Sequence, residues 1–248
     1  MARTIAIGDI HGDLEQLDRL LGRLPELDAT DTVVFIGDYV DRGPKSREVV
    51  ERVQTYAKSF PGRCITLRGN HEDAWLNCLD TPNPGFLLSE GNGCYQTLRS
   101  FVDCQHISLQ EQCLKLLQPH TWFPSELRAW FEGLPYWYED EHAIYVHAGL
   151  DGEGDEWLHP SAGKMRCLMW MREKDFFTRY RGKRVVFGHT PTSMLSTEHL
   201  NFIERIFDDP ADVWKRGDLI GIDTGCGKGG FLSAIELPSG KVYESRKE

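Results

Sequence analysis

Short apolar runs separated by amphipathic segments fill the first part of the chain. Residues 4–7, 31–37 and 64–67 are apolar enough to form buried strands. Residues 13–24 and 46–59 carry apolar side chains at helical spacing, which predicts one amphipathic helix between each pair of strands. This β-α-β-α-β alternation is typical of a sheet covered by helices, so we predict an α/β fold.

The middle of the chain has a different pattern. Residues 75–140 contain the turn-forming sequences "TPNPG" and "EGNG", several candidate helices and a group of aromatic side chains. We interpret this stretch as a helical insertion over the strand ends, within a single domain that spans residues 1–248. Further strands are predicted at 143–147, 184–187, 219–222, 231–237 and 241–244, the last two as a closing hairpin.

Polar motifs follow five of the predicted strands. "GDIHGD" begins at Gly8, "GDYVDRG" at Gly37 and "RGNHE" at Arg68, and "HAG" and "GHT" end two later strands. Charged groups at the rim of a core are costly unless they are paired, and ligands gather beyond the carboxyl ends of such strands. The motifs therefore predict one polar site that contains Asp9, His11, Asp38, Asn70, His71, His147 and His189.

The types of side chain in this set indicate a metal site. Carboxylate, imidazole and amide groups together suit Mn, Fe or Zn better than Mg or Ca. Two such ions, about 3.5–4 Å apart and sharing a carboxylate, form the usual clamp for in-line attack on phosphorus. Asp38 is the expected bridge because its strand should lie between the others, and Asp9 and His11 should reach one ion from the same strand end. The coordination of the second ion would be completed by Asn70, His147 and His189.

Three features near these motifs have simpler interpretations. Asp13 and Glu72 lie where helices should begin, and negative charge there favours the helix dipole. The sequence "GKGG" at 227–230 lacks the spacing of a phosphate-binding Walker motif, so we predict a turn.

Composition limits the partners of the protein. The chain has 248 residues and a formal net charge of −10, which argues against binding to a nucleic acid polymer. A small pocket with a few arginines is still compatible with this charge. No run approaches the roughly 18 apolar residues needed to span a bilayer, so no membrane partner is expected. The first predicted strand begins at Thr4 and leaves no room for a signal peptide, which predicts a cytoplasmic location.

The seven cysteines form no CxxC pair, and their number is odd. Reduced thiols in a cytosolic protein are the simplest interpretation. An alternative zinc site would have to use spacings that fit no standard ligand pattern. Its ligands would come from Cys94, Cys104, His106, Cys113 and His120.

The order of the motifs resembles a known family. "GDIHG", "GDYVDRG", "RGNHE", "HAG" and "GHT" resemble the PPP-type metallophosphatases, the Ser/Thr protein phosphatases with a calcineurin-like fold. Bacterial Ser/Thr protein phosphatases and the related diadenosine tetraphosphatases are the members of this calcineurin-like metallophosphoesterase superfamily that the chain resembles. The resemblance runs from Ile5 to about Leu237, and "LIGIDTGCGKGGFLSAIEL" is similar to the terminal strand pair of bacterial members. It implies a calcineurin-like four-layer α/β/β/α sandwich of two mixed sheets flanked by helices.

The resemblance also implies roles for single residues. Two divalent metal ions are expected, with manganese as the first choice and iron or zinc as alternatives. His71 would be the general acid, and Asp41 would hold it charged and oriented. The metal ligands would be Asp9, His11, Asp38, Asn70, His147 and His189.

Arginines would bind the substrate phosphate. The resemblance assigns this role to Arg42 and Arg68, whose guanidinium groups match phosphate geometry. A third arginine is expected between "HAG" and "GHT". Arg172 in "LMWMRE" is the best match, and Arg166 is the alternative.

Together these features predict a dinuclear metal-dependent phosphoesterase that hydrolyses phosphate monoesters by direct attack of a metal-bridging hydroxide. A Ser/Thr protein phosphatase is preferred because the chain has "GDYVDRG" and "GNHE" where diadenosine tetraphosphatases tend to have "GDLVNRG" and "GNHD". The alternatives are a bis(5'-nucleosyl)-tetraphosphatase, a small-metabolite phosphatase and a non-catalytic binding module. The presence of all the candidate metal ligands argues against the last of these. The expected partner is a phosphorylated protein or a small phosphate ester, and we expect a monomer.

Overall fold

Two five-stranded sheets form the centre of the molecule. The structure is a computed structural model, and it describes residues 2–153, 156–199 and 212–247. The strands of this part of the chain are β1 (Thr4–Ile7), β2 (Thr32–Phe35), β3 (Arg63–Thr66), β4 (Trp137–Glu139), β5 (Ile144–Val146), β6 (Gly152–Glu153), β7 (Glu156–Trp157), β8 (Val185–Phe187), β9 (Trp214–Arg216), β10 (Leu219–Gly221), β11 (Ser233–Leu237) and β12 (Val242–Glu244).

Helices flank both sheets and form the middle region of the chain. They are α1 (Leu14–Leu21), α2 (Ser46–Ser59), α3 (Asn70–Asp80), α4 (Pro84–Leu87), α5 (Cys94–Phe101), α6 (Leu109–Leu116), α7 (Ser125–Gly133), α8 (Met165–Trp170), α9 (Lys174–Arg179) and α10 (Thr192–His199), with a 3₁₀ turn at Pro119–Thr121. Within the described ranges, no helix is both long enough and apolar enough to cross a bilayer.

Both sheets are mixed. In the first, four strands run in one direction and β11 runs in the other; in the second, three strands are parallel and the two edge strands are antiparallel to their neighbours. The first has the order β12-β11-β1-β2-β3, in which β1, β2 and β3 are parallel and β11 runs antiparallel to β1. The second has the order β4-β5-β8-β10-β9, in which β5, β8 and β10 are parallel. The expected closing hairpin is present, because β11 and β12 pair antiparallel. The position of β2 between β1 and β3 is also as predicted.

The alternation of side chains along the strands explains the layers. Ala6 and Val34 of the first sheet meet Tyr145 and Val186 of the second in a buried core between the sheets. The side chains next to them along the strands point the other way, toward the helices, where Ile5, Val33 and Phe35 pack with Leu17 and Leu20 of α1 and Val49 and Val53 of α2. On the far side, Phe176 and Phe177 of α9 pack against Val185 and Phe187 of β8. The predicted four-layer order of helix, sheet, sheet and helix is therefore confirmed.

Side chains and strand ends near the start of each of the first helices explain where these helices begin. The Asp13 carboxylate caps α1 by accepting a hydrogen bond from the Gln16 amide at 3.1 Å, as an N-terminal acidic residue should. Helix α2 has the predicted bounds. Helix α3 begins at Asn70, directly after β3, so the start of this helix carries the third motif to the strand ends.

The middle region consists mainly of helices. Helices α4 to α7 pack around aromatic side chains, including Trp75, Phe123 and Phe131. The pattern missed β4 and β9, which are short edge strands of the second sheet. Residues 226–229 form a turn, as predicted for "GKGG". The interpretation of 75–140 as an insertion within a single domain stays a prediction.

Candidate active site

The site lies where the carboxyl ends of β1, β2 and β3 meet the carboxyl ends of β5, β8 and β10. Glycines allow the backbone to approach the candidate ligands closely at this place. A Cβ atom on Gly188 would lie 2.0 Å from Asp9 Oδ1, and one on Gly69 would lie 2.2 Å from Asp38 Oδ1. A side chain at either position would therefore displace a candidate metal ligand.

Strained backbone is concentrated at this place. Among the described residues, the non-glycine positions with positive φ are His11 (47°), Asp38 (54°), Asp41 (73°), Arg42 (66°) and His189 (63°). Each such conformation costs on the order of 1 kcal/mol or more and persists only where the surroundings determine it. All five lie in the polar motifs of the sequence, and strain of this kind is typical of functional sites.

Asp38 is at the centre of the arrangement. Its Oδ2 lies 3.3 Å from His11 Nε2, and its Oδ1 lies 3.4 Å from His147 Nε2. The same Oδ1 accepts a hydrogen bond from the His71 amide at 3.0 Å. Burial opposes ionisation of Asp38, but the imidazoles of His147, His71 and His11 hold its pKa well below the ordinary value. Asp38 is thus an ionised carboxylate that faces imidazoles on two sides.

Two compact groups of possible metal ligands share Asp38. One contains His11, Asp38 and His71, and the other contains Asp9, Asp38 and His147. The shared carboxylate is the one predicted to bridge two ions. The assignment of Asp9 and His11 to one ion stays a prediction. These two side chains are still near each other, since His11 Nε2 lies 4.0 Å from Asp9 Oδ2.

Asn70 and His189 complete the set. Asn70 Oδ1 lies 3.0 Å from His147 Nε2 and 2.7 Å from His189 Nδ1. The His189 amide donates a hydrogen bond to Asp9 Oδ2 at 3.0 Å, which joins the two sheets. The structure therefore brings together all six predicted metal ligands.

An unsatisfied carboxylate oxygen tests whether a metal fits here. Asp9 is 1% exposed, and its Oδ1 has no hydrogen-bond partner among the described residues. Burial and the charges of Asp223 and Asp38 raise the pKa of Asp9 well above its ordinary value. Buried carboxylates crowded in this way are stabilised by a cation. The residues fit divalent metal ions.

Burial favours the form of the histidines that binds metals. Burial lowers the pKa of His11, His147 and His189, which favours neutral imidazole. Backbone carbonyls orient two of the rings, because Val40 O lies 3.0 Å from His11 Nδ1 and Ile36 O lies 2.9 Å from His147 Nδ1. A protonated Nδ1 that donates to a carbonyl leaves Nε2 free as a ligand.

His71 and Asp41 form the predicted pair. His71 Nδ1 lies 2.6 Å from Asp41 Oδ2, and Asp41 is fully buried. Asp41 also accepts hydrogen bonds from Trp75 Nε1 at 3.0 Å and from Thr97 Oγ1 at 2.6 Å. Sequence reasoning missed both donors. Trp75 lies one helical turn after His71, which was a usable signal, whereas nothing near Thr97 pointed to Asp41.

The predicted phosphate-binding arginines differ in where their guanidinium groups lie. Arg42 contacts His11 Nε2, and its Nη2 lies 3.1 Å from His71 Nε2. Arg172 donates from Nε to His189 Nε2 at 2.9 Å and from Nη2 to the His189 carbonyl at 3.1 Å. Its alternative, Arg166, is exposed on α8.

Arg68 is engaged elsewhere. Its Nη1 donates to the Tyr136 hydroxyl at 2.9 Å, and its Nη2 donates to the Glu132 carbonyl at 2.7 Å. Its buried Nε has no hydrogen-bond partner among the described residues. The phosphate-binding role of Arg68 stays a prediction.

Glu72 does more than place a negative charge at the start of a helix. It is fully buried, and its carboxylate accepts hydrogen bonds from the amides of Asp38, Tyr39 and Gly69, each at 2.9 Å. Burial and the charge of Asp38 raise the pKa of Glu72 to about 8. Glu72 therefore holds the turn that presents Asp38, which its position in "RGNHE" did not reveal.

Asp223 is a further buried carboxylate that the motifs did not identify. It follows β10 in the sequence "IDTG" and is 2% exposed. Its Oδ1 accepts a hydrogen bond from the Gly225 amide at 3.0 Å, but its Oδ2 has no partner in the described part of the chain. Its charge contributes to the raised pKa of Asp9. Its position after a predicted strand was the available signal.

The alternative zinc site is not present among the described residues. The two groups of possible metal ligands found there contain no cysteine. Cys94 is instead buried near the His71 and Asp41 pair, with its Sγ 3.8 Å from Asp41 Oδ2.

The two joined sheets, with carboxylate, imidazole and amide groups at their common strand ends, define an α/β fold of the metallophosphoesterase class. A family model described as calcineurin-like phosphoesterase matches residues 2–193. The match spans more than half of the chain, so the chain belongs to the calcineurin-like phosphoesterase family. The family and the fold class that the motifs predict are thereby confirmed.

Two curated relatives share a shorter segment. The serine/threonine-protein phosphatase 6 catalytic subunit of Drosophila melanogaster is 47% identical over 68 residues, which are 26% of this chain and 21% of that protein. Serine/threonine-protein phosphatase SIT4 of Candida albicans is 44% identical over 68 residues, which are 26% of this chain and 22% of that protein. The aligned segment thus spans about a fifth of the length of each relative.

Solved structures share the fold over nearly the whole chain. A putative diadenosine tetraphosphatase is 21% identical with a TM-score of 0.58, and the alignment covers 98% of this chain and 92% of that one. A Saccharomyces cerevisiae serine/threonine phosphatase with similarity to human PP5 is 16% identical with a TM-score of 0.54, covering 100% and 81%. At this level of identity, the likeness shows the fold alone.

Proposed function

We propose that the protein is a dinuclear metal-dependent phosphatase that hydrolyses phosphate monoesters, with phosphoserine and phosphothreonine residues of proteins as its preferred substrates. The observation that carries the proposal is the buried, ionised Asp38, which belongs to both compact groups of possible metal ligands. The preference for phosphoproteins is supported by "GDYVDRG" and "GNHE", and by the two phosphatases that share a segment with this chain.

The proposed metal ligands are Asp9, His11, Asp38, Asn70, His147 and His189. When bound, two divalent ions supply Lewis acidity that activates the attacking water and stabilises charge on the phosphoryl oxygens. Neutral imidazoles with carboxylate and amide oxygens favour manganese, iron or zinc, and manganese is the first choice.

The remaining side chains orient the phosphate and move a proton. Arg42 binds phosphoryl oxygens in this proposal, and its contact with His71 Nε2 at 3.1 Å supports a role for both side chains at the same phosphate ester. His71 protonates the departing alkoxide from Nε2, because Nδ1 is held by Asp41 at 2.6 Å. Arg172 binds phosphate from the side of His189, with Arg68 as a further candidate.

A substrate panel tests the proposal. Protein reconstituted with manganese, iron or zinc is given p-nitrophenyl phosphate, a phosphothreonine peptide, diadenosine tetraphosphate and glucose 6-phosphate, and kcat/KM is measured for each. We expect the phosphopeptide to have the highest value. Efficient cleavage of diadenosine tetraphosphate with no action on the peptide would instead establish the tetraphosphatase alternative. A preference for glucose 6-phosphate would establish a small-metabolite phosphatase, and no hydrolysis of any ester would contradict the proposed activity.

A further inference from the structure

A groove beside the candidate active site has an excess of positive charge. It has a volume of about 790 Å³ and is lined by the segment before α5, by α5 itself and by the turn after β10. Its charged lining residues are Arg42, Arg99, Lys228 and Glu90, three cations and one carboxylate. We refer to it as the cationic groove. Its local charge is opposite in sign to the net charge of −10 of the chain.

Among the described residues, the cations of the cationic groove form no close ion pair with a carboxylate. No ion pair within 4.0 Å involves Arg42, Arg99 or Lys228 in the part of the chain that the structure describes. Arg99 donates from Nε to the neutral side chain of Gln112 at 2.8 Å, and its guanidinium lies 5.8 Å from the centre of the Tyr95 ring. The buried Nε of Arg42 has no hydrogen-bond partner among these residues. An anionic ligand would satisfy these groups.

The cationic groove is continuous with the site of hydrolysis. Arg42 lines it and also contacts His11 and His71. The turn that carries Lys228 packs on His11, since a Cβ atom on Gly227 would lie 2.6 Å from His11 Cβ. The surrounding protein and the charge of Arg42 lower the pKa of Lys228. Lys228 and Arg42 line the same cavity, so their positive charges face the same space.

We propose that the cationic groove binds a second anionic group of the substrate, on the part of the molecule beyond the phosphate that is hydrolysed. This inference rests on the proposed function. Lys228 and Arg99 contribute specificity, because both line this groove and their positive charges attract an anion bound in it. Two kinds of substrate carry such a second anionic group. One is a protein with an acidic side chain next to the phosphorylated residue, and the other is a small ester with a second phosphate.

Two matched substrate pairs test this role. The first is a phosphothreonine peptide flanked by glutamates and its glutamine counterpart, and the second is glucose 1,6-bisphosphate and glucose 6-phosphate. In each pair, the preference is the ratio of the kcat/KM values with manganese-loaded enzyme. We expect the wild-type protein to prefer the more anionic member of at least one pair, and that pair identifies the source of the anion.

Variants of Lys228 locate the preference in the cationic groove. Lys228→Met should lower the ratio about three- to fivefold, as expected for a partly exposed charge pair, and Lys228→Glu should lower it further. Lys58→Met is the matched control, because Lys58 is exposed on α2 and its loss changes the net charge equally. The ratio of this control should stay at the wild-type value.

The outcomes separate the inference from the proposed function. Turnover of p-nitrophenyl phosphate tests the phosphatase activity alone, because this ester has no second anionic group. If turnover is absent, dissociation constants for the same pairs, measured by calorimetry, decide the role of the cationic groove. Equal values within both pairs would overturn the inference, and so would a preference that Lys228→Met and Lys58→Met leave equally intact.

Discussion

Buried carboxylates at the two ends of the first sheet have opposite surroundings. At the amino end, Asp31 is 2% exposed and both of its oxygens are bound by Arg3, at 2.6 Å from Nη2 and 3.0 Å from Nε. At the carboxyl end, Asp9 is 1% exposed and one of its oxygens has no partner among the described residues. Asp38, at the same end, has a left-handed backbone with a φ of 54°.

The difference separates charge that stabilises the fold from charge that prepares a site. Hydrogen bonding to Arg3 lowers the pKa of Asp31, so its ionised form is stable without any further partner. Burial and neighbouring carboxylates raise the pKa of Asp9, so its ionised form needs a cation that the side chains do not provide. Incomplete pairing and backbone strain thus mark the functional end of the sheet.

Asp38→Asn should have the largest effect, because Asp38 belongs to both groups of possible ligands. We expect kcat/KM for p-nitrophenyl phosphate to fall about a thousandfold or more, together with loss of bound metal measured by elemental analysis. Asp31→Asn is the matched control at the opposite end of the sheet. Full turnover and metal content in the Asp38 variant would remove the proposed bridging role.

His71→Asn should cause the second largest loss of activity, and the size of this loss should depend on the substrate. A general acid matters most when the leaving oxygen is strongly basic, so hydrolysis of a phosphothreonine peptide should slow by about a hundredfold or more. Hydrolysis of p-nitrophenyl phosphate should slow much less, because nitrophenolate leaves without protonation. Steady-state kinetics on the two esters measure this difference, and equal losses on both would argue against proton donation by His71.

Arg172→Ala should raise KM for phosphate esters about tenfold, since a charged donor to the phosphate is lost. Arg166→Ala is the control, because Arg166 is exposed on α8 while Arg172 contacts His189. Comparison of KM values for p-nitrophenyl phosphate distinguishes the two positions. If only the Arg166 variant changed KM, the assignment would move to Arg166.

Asp223→Asn should weaken metal binding about tenfold, the usual scale for a residue that supports ligands from behind. Asp223 is buried with an unpartnered Oδ2, and its charge acts on Asp9. Calorimetric titration of manganese into the metal-free variant measures the effect directly, independent of turnover. An unchanged affinity would place Asp223 with the structural carboxylates such as Asp31.

Asp31→Asn should have the smallest effect and change stability alone. Losing the paired carboxylate should lower the free energy of unfolding at pH 7 by about 1–2 kcal/mol. The folded-state pKa of Asp31 is lowered, so its contribution is present above the unfolded value of about 3.9 and is lost as pH falls through the folded value. Denaturant titrations at pH 7 and at about pH 3 should show the wild-type advantage shrinking at the lower pH. A loss of activity in this variant would contradict the contrast between the two ends.

Much of the fold and the candidate site could be predicted because it depends on local pattern. Helix α2 has the predicted bounds, and the central strands lie within one or two residues of the predicted ones, since apolar periodicity records which face of an element is buried. The six candidate metal ligands were found from motifs that directly follow strands. Parallel strands end at one edge of a sheet, and this topological rule brings such motifs together.

The amino-acid sequence by itself determined the α/β class and the residue types of the site, because both follow from short-range pattern and motif order. Only the tertiary structure decided which groups support the ligands and how they are paired. Thr97 reaches Asp41 across a separation of 56 residues, and Glu72 holds the backbone of Asp38 across 34. The tertiary structure also decided that Arg172, and not Arg166, contacts His189. These contacts depend on how helices and sheets pack in space, which no spacing along the chain records.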